Sequence, residues 1–417
     1  LIPDPFTPAT KMKIKKAQHY CLARIALVFP ILMAMAPCPA ASAQQAEYKF
    51  PAVEDLPVTE GLQNPFLKPD GTLVKSKEEW PAQREYLKAM LIHYQYGTVP
   101  PNPEKIDLER VSSKEILDGK GILDLFNVTV SRNGKSVTLH CSLYRPNKPG
   151  KFPVVIKNDR DVKEKDNIVS KAIDMGYAIA KYAREDLAKD SRQNVRKGGA
   201  YDLYPEYTWG SIGVWAWGYQ LVIDAFEQMD VIDMDKIVTT GHSRGGKTAL
   251  AGAIFDERIA IAGPNSSGLG GTASARFFET GQREQKIQVH VVPHAHWWSP
   301  EYYKFANNEQ VMPFDAHFNL IVLAPRPVHN AHATEDYWAN PYGTELAQRA
   351  AMKVYKWLDA EDNLALHWRP GGHDQTLGDW VALMDFADLY FFKRDNGNVF
   401  NRRIYPDAPL PVTWEVP

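Results

Sequence analysis

Apolar positions recur every three or four residues through "EEWPAQREYLKAMLIHYQYG" (78–97), which predicts a helix that stops at Gly97, ahead of two prolines. Before it, residues 51–70 hold prolines without any period and predict a wandering segment. "FNVTVSRNGKSVTLHCSLYRP" (126–146) changes the period to two on either side of Asn133-Gly134, the signature of a β-hairpin. From there short β-branched runs dominate: 152–157, 177–182, 236–241, 259–264, 326–333 and 364–368. Helical patterns separate them, among them "WGYQLVIDAFEQM" (217–229) and "TELAQRAAMKVYKWL" (344–358). Such alternation predicts a mostly parallel sheet with helices on both faces, and reactive residues on loops at the carboxyl ends of the strands.

The start of the chain reads differently. Residues 1–11 precede Met12 and read as an expression-derived leader. Lys13, Lys15 and Lys16, an apolar run over 25–36 and Ala41-Ser42-Ala43 then predict a signal peptide over 12–43, with the mature chain starting near Gln44. The expectation is a secreted or periplasmic protein, free of the membrane once the signal is removed. Lys11, Lys13, Lys15, Lys16 and Arg24 leave with the leader, as does Asp4, so 43 basic residues face 49 acidic ones in the mature chain. That balance speaks against a nucleic-acid partner. Cys141 remains the one cysteine, so core packing rather than a disulfide must hold the chain. The length suits a monomer with an N-terminal extension (44–120) packed on one large domain (121–417).

Within that domain, Gly241-His242-Ser243-Arg244-Gly245 matches G-x-S-x-G, with a strand pattern before it and a helix pattern after. This is the nucleophile elbow of an α/β-hydrolase fold, a three-layer αβα sandwich with a mostly parallel central sheet. The bland alternative makes Ser243 a simple helix N-cap. A nucleophilic serine needs a base and an acid, and in this fold they follow in the order acid, then histidine. His373 lies in a loop after the last strand pattern, and Asp336, or alternatively Glu335, follows the strand before it. His367 falls inside a strand and reads as packing. Arg244 opens the helix, so its backbone N–H can serve an oxyanion hole. Trp297 and Trp298 are expected to wall the cleft. The run of His290, His294 and His296 fits no metal-ligand spacing, so no metal is expected.

"TTGHSRGGKTAL", "VWAWG" (214–218), "SSGLGGTASAR" (266–276), "HWWSP" (296–300) and "MPFDAH" (312–317) together resemble the glucuronoyl esterases of carbohydrate esterase family 15. The resemblance implies an α/β/α fold without a cofactor. The activity it implies is hydrolysis of esters between (4-O-methyl)glucuronic acid of glucuronoxylan and lignin alcohols. It further implies that the Arg244 guanidinium stabilises the oxyanion, that Lys247 binds sugar hydroxyls and that Trp338 contacts the sugar. One departure stands out: Ser266 occupies the place of a glutamate that is the acid in many members, so the role passes to Asp336 or Glu335. Two other readings follow from that loss. One is an acetyl-xylan-type esterase, and the other a carbohydrate-binding protein with a decayed site.

Overall fold

A computed structural model of the chain describes residues 48–101, 103–279, 286–287 and 293–417. The expectations for residues 1–43, for a start at Gln44 and for His290 lie outside the described residues. Nine strands form one sheet: β1 (Lys105–Ile116), β2 (Gly121–Arg132), β3 (Lys135–Pro146), β4 (Phe152–Asp159), β5 (Ala178–Ala183), β6 (Ile232–His242), β7 (Ile261–Asn265), β8 (Val328–Ala333) and β9 (Leu364–Arg369). Their order is β1-β2-β3-β5-β4-β6-β7-β8-β9. Pairing is antiparallel from β1 through β3 to β5, and parallel from β5 to β9.

The central strands are apolar on both faces because both faces are covered. Val154 and Ile156 of β4 join one core, with the helices Ser211–Phe226 and Arg244–Phe255. Val155 points the other way, into a second core under the helices Asp166–Met175 and Leu377–Phe392. The helix Ser211–Phe226 is buried almost all round, which hides it from a search for one apolar face. It therefore begins six residues before the pattern at 217 suggests.

Two expectations change. The sheet starts at Lys105 rather than after residue 120, because β1 pairs along its whole length with β2. In β1 only Ile106 and Leu108 alternate inward, between Lys105, Asp107 and Glu109; from Arg110 through Glu115 the strand is exposed, and such charge suits a sheet edge. Nor do residues 51–70 wander. Leu62 N–H donates to Pro411 O (2.7 Å), Arg276 Nη1 donates to Gly61 O (2.8 Å), and Phe66 is buried against Trp80 and Trp357. Irregular backbone here is fixed by partners far along the chain.

Candidate active site

At the end of β6 the backbone turns sharply into the helix Arg244–Phe255 through Ser243, at φ 56° and ψ −118°. A non-glycine residue held there stores about 1–3 kcal/mol of strain. Ser243 N–H donates to Asn265 O of β7 (2.9 Å), which pins the turn. Ser243 holds the N-cap position of this helix, but its side chain makes no capping hydrogen bond. Glycine is required by contact: a Cβ on Gly241 would sit 2.3 Å from Gly245 O, and one on Gly246 2.7 Å from Asn265 O. From beneath, Asn158 Nδ2 donates to Gly245 O (2.9 Å) and to Tyr219 Oη (2.7 Å), and Tyr219 Oη donates to Thr240 O (2.6 Å).

The chain leaving β8 is drawn toward the chain leaving β9 by Thr334 N–H on Arg369 O (2.9 Å) and Glu335 N–H on Gly371 O (3.1 Å). Arg369 braces the second loop, donating to Asp379 Oδ2 (2.8 Å) and Gly372 O (2.9 Å). This brings His373 Nδ1 to 2.8 Å from Asp336 Oδ2. Asp336 is 2% exposed, whereas Glu335 faces solvent. Burial raises the Asp336 pKa, but the hydrogen bond from His373 and the nearby imidazoles outweigh it and hold the carboxyl below its ordinary range. An ionised carboxylate only accepts, so the proton of this hydrogen bond sits on Nδ1 of His373 and a neutral ring keeps a free lone pair at Nε2. Of the two acids the sequence offers, the structure pairs Asp336 with His373 and leaves the Glu335 side chain exposed.

His373 also lies against the elbow, its ring centroid 4.4 Å from that of His242. His242 Nδ1 donates to Asn265 Oδ1 (2.7 Å), and burial brings its pKa down to about 4, so it stays neutral beside His373. Ser266, at the end of β7, is buried with φ 43° and its N–H on Ala331 O (2.8 Å). Its hydroxyl lies close enough to Asp336 to favour the carboxylate, although the two do not meet full hydrogen-bond geometry.

The remaining candidates divide. The Arg244 guanidinium lies 4.8 Å over the Trp297 ring and donates to Asp190, a residue the sequence reading missed. Lys247 is buried, with Nζ donating to Ser267 O (2.5 Å). Burial, then the charge of Arg244, brings its ammonium down to about 7. Trp338 is half-buried two residues beyond Asp336. Trp298 does not wall the cleft: it is 1% exposed, with its ring on Tyr302 (4.7 Å) and against Gly270. Trp297 is buried as well and serves as a floor under Arg244, with His294 stacked on it at 4.0 Å and 9°. Among the described residues no group of three or more His, Cys, Asp or Glu side chains is placed to hold a metal ion.

A doubly wound sheet whose sixth strand ends in a strained Gly-x-Ser-x-Gly turn defines the α/β-hydrolase class. Within that class, residues 128–359 match the family model of fungal glucuronyl esterases. The chain is similar to 4-O-methyl-glucuronoyl methylesterase 1 of Wolfiporia cocos, 30% identical over 377 residues that cover 85% of this chain and 88% of the relative. Among solved structures it is similar to the carbohydrate esterase family 15 glucuronoyl esterase from Caldicellulosiruptor kristjansonii. Identity there is 27%, coverage 88% of this chain and 99% of that one, and the TM-score 0.75. A promiscuous esterase of the same family from a marine bacterial metagenome is 28% identical, covers 81% of this chain and 98% of its own, and gives a TM-score of 0.69. The chain belongs to the glucuronoyl esterase family.

Proposed function

We propose that this protein hydrolyses the ester between the carboxyl group of 4-O-methylglucuronic acid, as borne on glucuronoxylan, and an alcohol. The observation that carries the mechanism is the hydrogen bond between His373 and buried Asp336, with the His373 ring against His242, the residue before the strained Ser243. His373 Nε2 takes the Ser243 proton as Oγ attacks the uronate carbonyl. The N–H of Arg244, at a helix N-terminus where backbone donors lack intrahelical partners, receives the developing oxyanion together with the guanidinium. Imidazolium His373, stabilised by Asp336, then protonates the departing alcohol, and a water activated by the same nitrogen frees the glucuronate. Trp338 and Lys247 are assigned to the sugar, Lys247 by exchanging the Ser267 carbonyl for a sugar hydroxyl. The signal-peptide pattern read in the sequence at 12–43 supports placing this action outside the cytoplasm. A decayed binding site would have no reason to keep a strained serine and a paired imidazole.

Ser243→Ala should lower kcat on a methyl ester of 4-O-methylglucuronate by at least about 10³-fold without moving the thermal midpoint. Retention of a tenth of the activity would remove the nucleophile. A second reading, a broader ester range that includes acetylated xylan, is favoured by Ser266 and by the similarity to a promiscuous family member. Initial rates on the two substrates separate the readings: faster turnover of acetylated xylan would replace the first by the second.

A further inference from the structure

Asp190 sits in a polar loop, "LAKDSRQ", that nothing in the sequence marks out. The loop is nevertheless held firmly. Trp215 Nε1 donates to Ala188 O (2.8 Å), Ala200 N–H to Leu187 O (2.8 Å), and Arg196 Nη2 to Thr208 O (2.8 Å). The Asp190 side chain is 4% exposed, and its two oxygens have different duties. Oδ1 accepts from His296 Nε2 and from Trp297 Nε1, both at 2.8 Å. Oδ2 accepts from Arg244 Nη1. Gly210 lets this floor close: a Cβ there would lie 2.3 Å from Trp297 O.

We propose that Asp190 is the positioning residue that holds the Arg244 guanidinium in the orientation needed at the oxyanion, with His296 and Trp297 as its anchors. The proposal rests on the reading that Arg244 stabilises that oxyanion. An arginine on the rim of a cleft has large rotamer freedom, which must be lost each time it meets the transition state. Here the loss is made in advance. One N–H is taken by a carboxylate that two other donors immobilise, and the face of the guanidinium lies over the Trp297 ring. The fork of remaining N–H groups is then fixed in plane and direction. Burial alone would raise the Asp190 pKa, but the hydrogen bonds from His296 and Trp297 and the charge of Arg244 overcome it and keep the carboxyl ionised. The pair also balances its own charge, so Arg244 acts by directed donation more than as a bare cation.

The test is a double-mutant cycle in the full chain with a methyl ester of 4-O-methylglucuronate. Asp190→Asn keeps the shape and an acceptor for the anchors but sets an amide N–H against the Arg244 donor. It should lower kcat by about 10- to 100-fold, in line with a displacement of about 1 Å, with KM changed less than about 3-fold. Arg244→Ala should lower kcat at least as much, and the double variant should be no worse than Arg244→Ala alone. An active Asp190→Asn beside a crippled Arg244→Ala overturns the positioning role and leaves the oxyanion reading standing. Losses that multiply overturn it too, because Asp190 would then act elsewhere. An active Arg244→Ala removes both. If Asp190→Asn does not fold, Trp297→Phe carries the test, since it keeps an aromatic ring at this position and removes the indole N–H that holds Asp190. A several-fold fall in kcat that vanishes in the Arg244→Ala background supports the proposal, and an unchanged kcat overturns it.

Discussion

Asp336→Asn probes the relocated acid most directly. In the parent, the carboxylate accepts from Nδ1 of His373 at 2.8 Å and so selects the tautomer with a free Nε2. An amide can present its own N–H to Nδ1, which moves the ring proton to Nε2, where it blocks the base. The charge is lost as well. An imidazolium and a carboxylate with centres about 4 Å apart attract by about 4 kcal/mol at an effective dielectric constant near 20. At about 1.4 kcal/mol per tenfold, that is a loss of about 10³ in kcat, and the wrong tautomer carries it toward about 10⁴. KM should hold, because the lost interaction grows only as His373 becomes charged. Glu335→Gln is the matched control: its side chain is exposed, and its backbone N–H is on Gly371 O. It should change kcat less than about 2-fold, as surface changes stay within about 0.5 kcal/mol. Steady-state kinetics on a glucuronate methyl ester, with thermal melts to confirm folding, would read both. If Asp336→Asn keeps more than a tenth of kcat, or Glu335→Gln is the dead variant, the reasoning is wrong.

Two further outcomes are expected. Added to Asp336→Asn, Ser266→Glu should restore kcat at least about 10-fold, because Ser266 lies beside Asp336 and a carboxylate there can face the same imidazole; no gain would mean that this position has turned away from His373. Burial brings Lys247 down to about 7 while an unfolded lysine stays near its ordinary value of 10.5, so the unfolded chain binds the extra proton between those pH values and native stability rises with pH across that window. Urea titrations at pH 7, 8 and 9 should show the stability of the parent relative to Lys247→Met climbing by up to about 1.4 kcal/mol per pH unit. A difference that does not vary with pH would show that the ammonium remains charged in place.

Features set by near neighbours along the chain were legible. The hairpin at Asn133-Gly134, the parallel strands from β4 onward and the elbow at Ser243 each depend on backbone preference, short-range period or the need for glycine at a tight turn. Loop order after β8 and β9 was enough to bring His373 and an acid forward, because the fold places those loops over the elbow. The choice between Glu335 and Asp336 was not legible: adjacent carboxylates have the same chemistry, and only the pull of Arg369 O and Gly371 O on the backbone turns one inward. Trp297 and Trp298 pose the same problem, since neighbours in sequence cannot show which ring carries Arg244 and which fills the space beside Gly270. β1 was hidden because a charged edge strand shows only a short apolar period, at Ile106 and Leu108, and its pairing with β2 supplies the stability that most of its side chains do not. Asp190 lay furthest from reach. Its partners stand 54, 106 and 107 residues away, so its role comes into being only when the chain has folded and three distant side chains meet on one buried carboxylate.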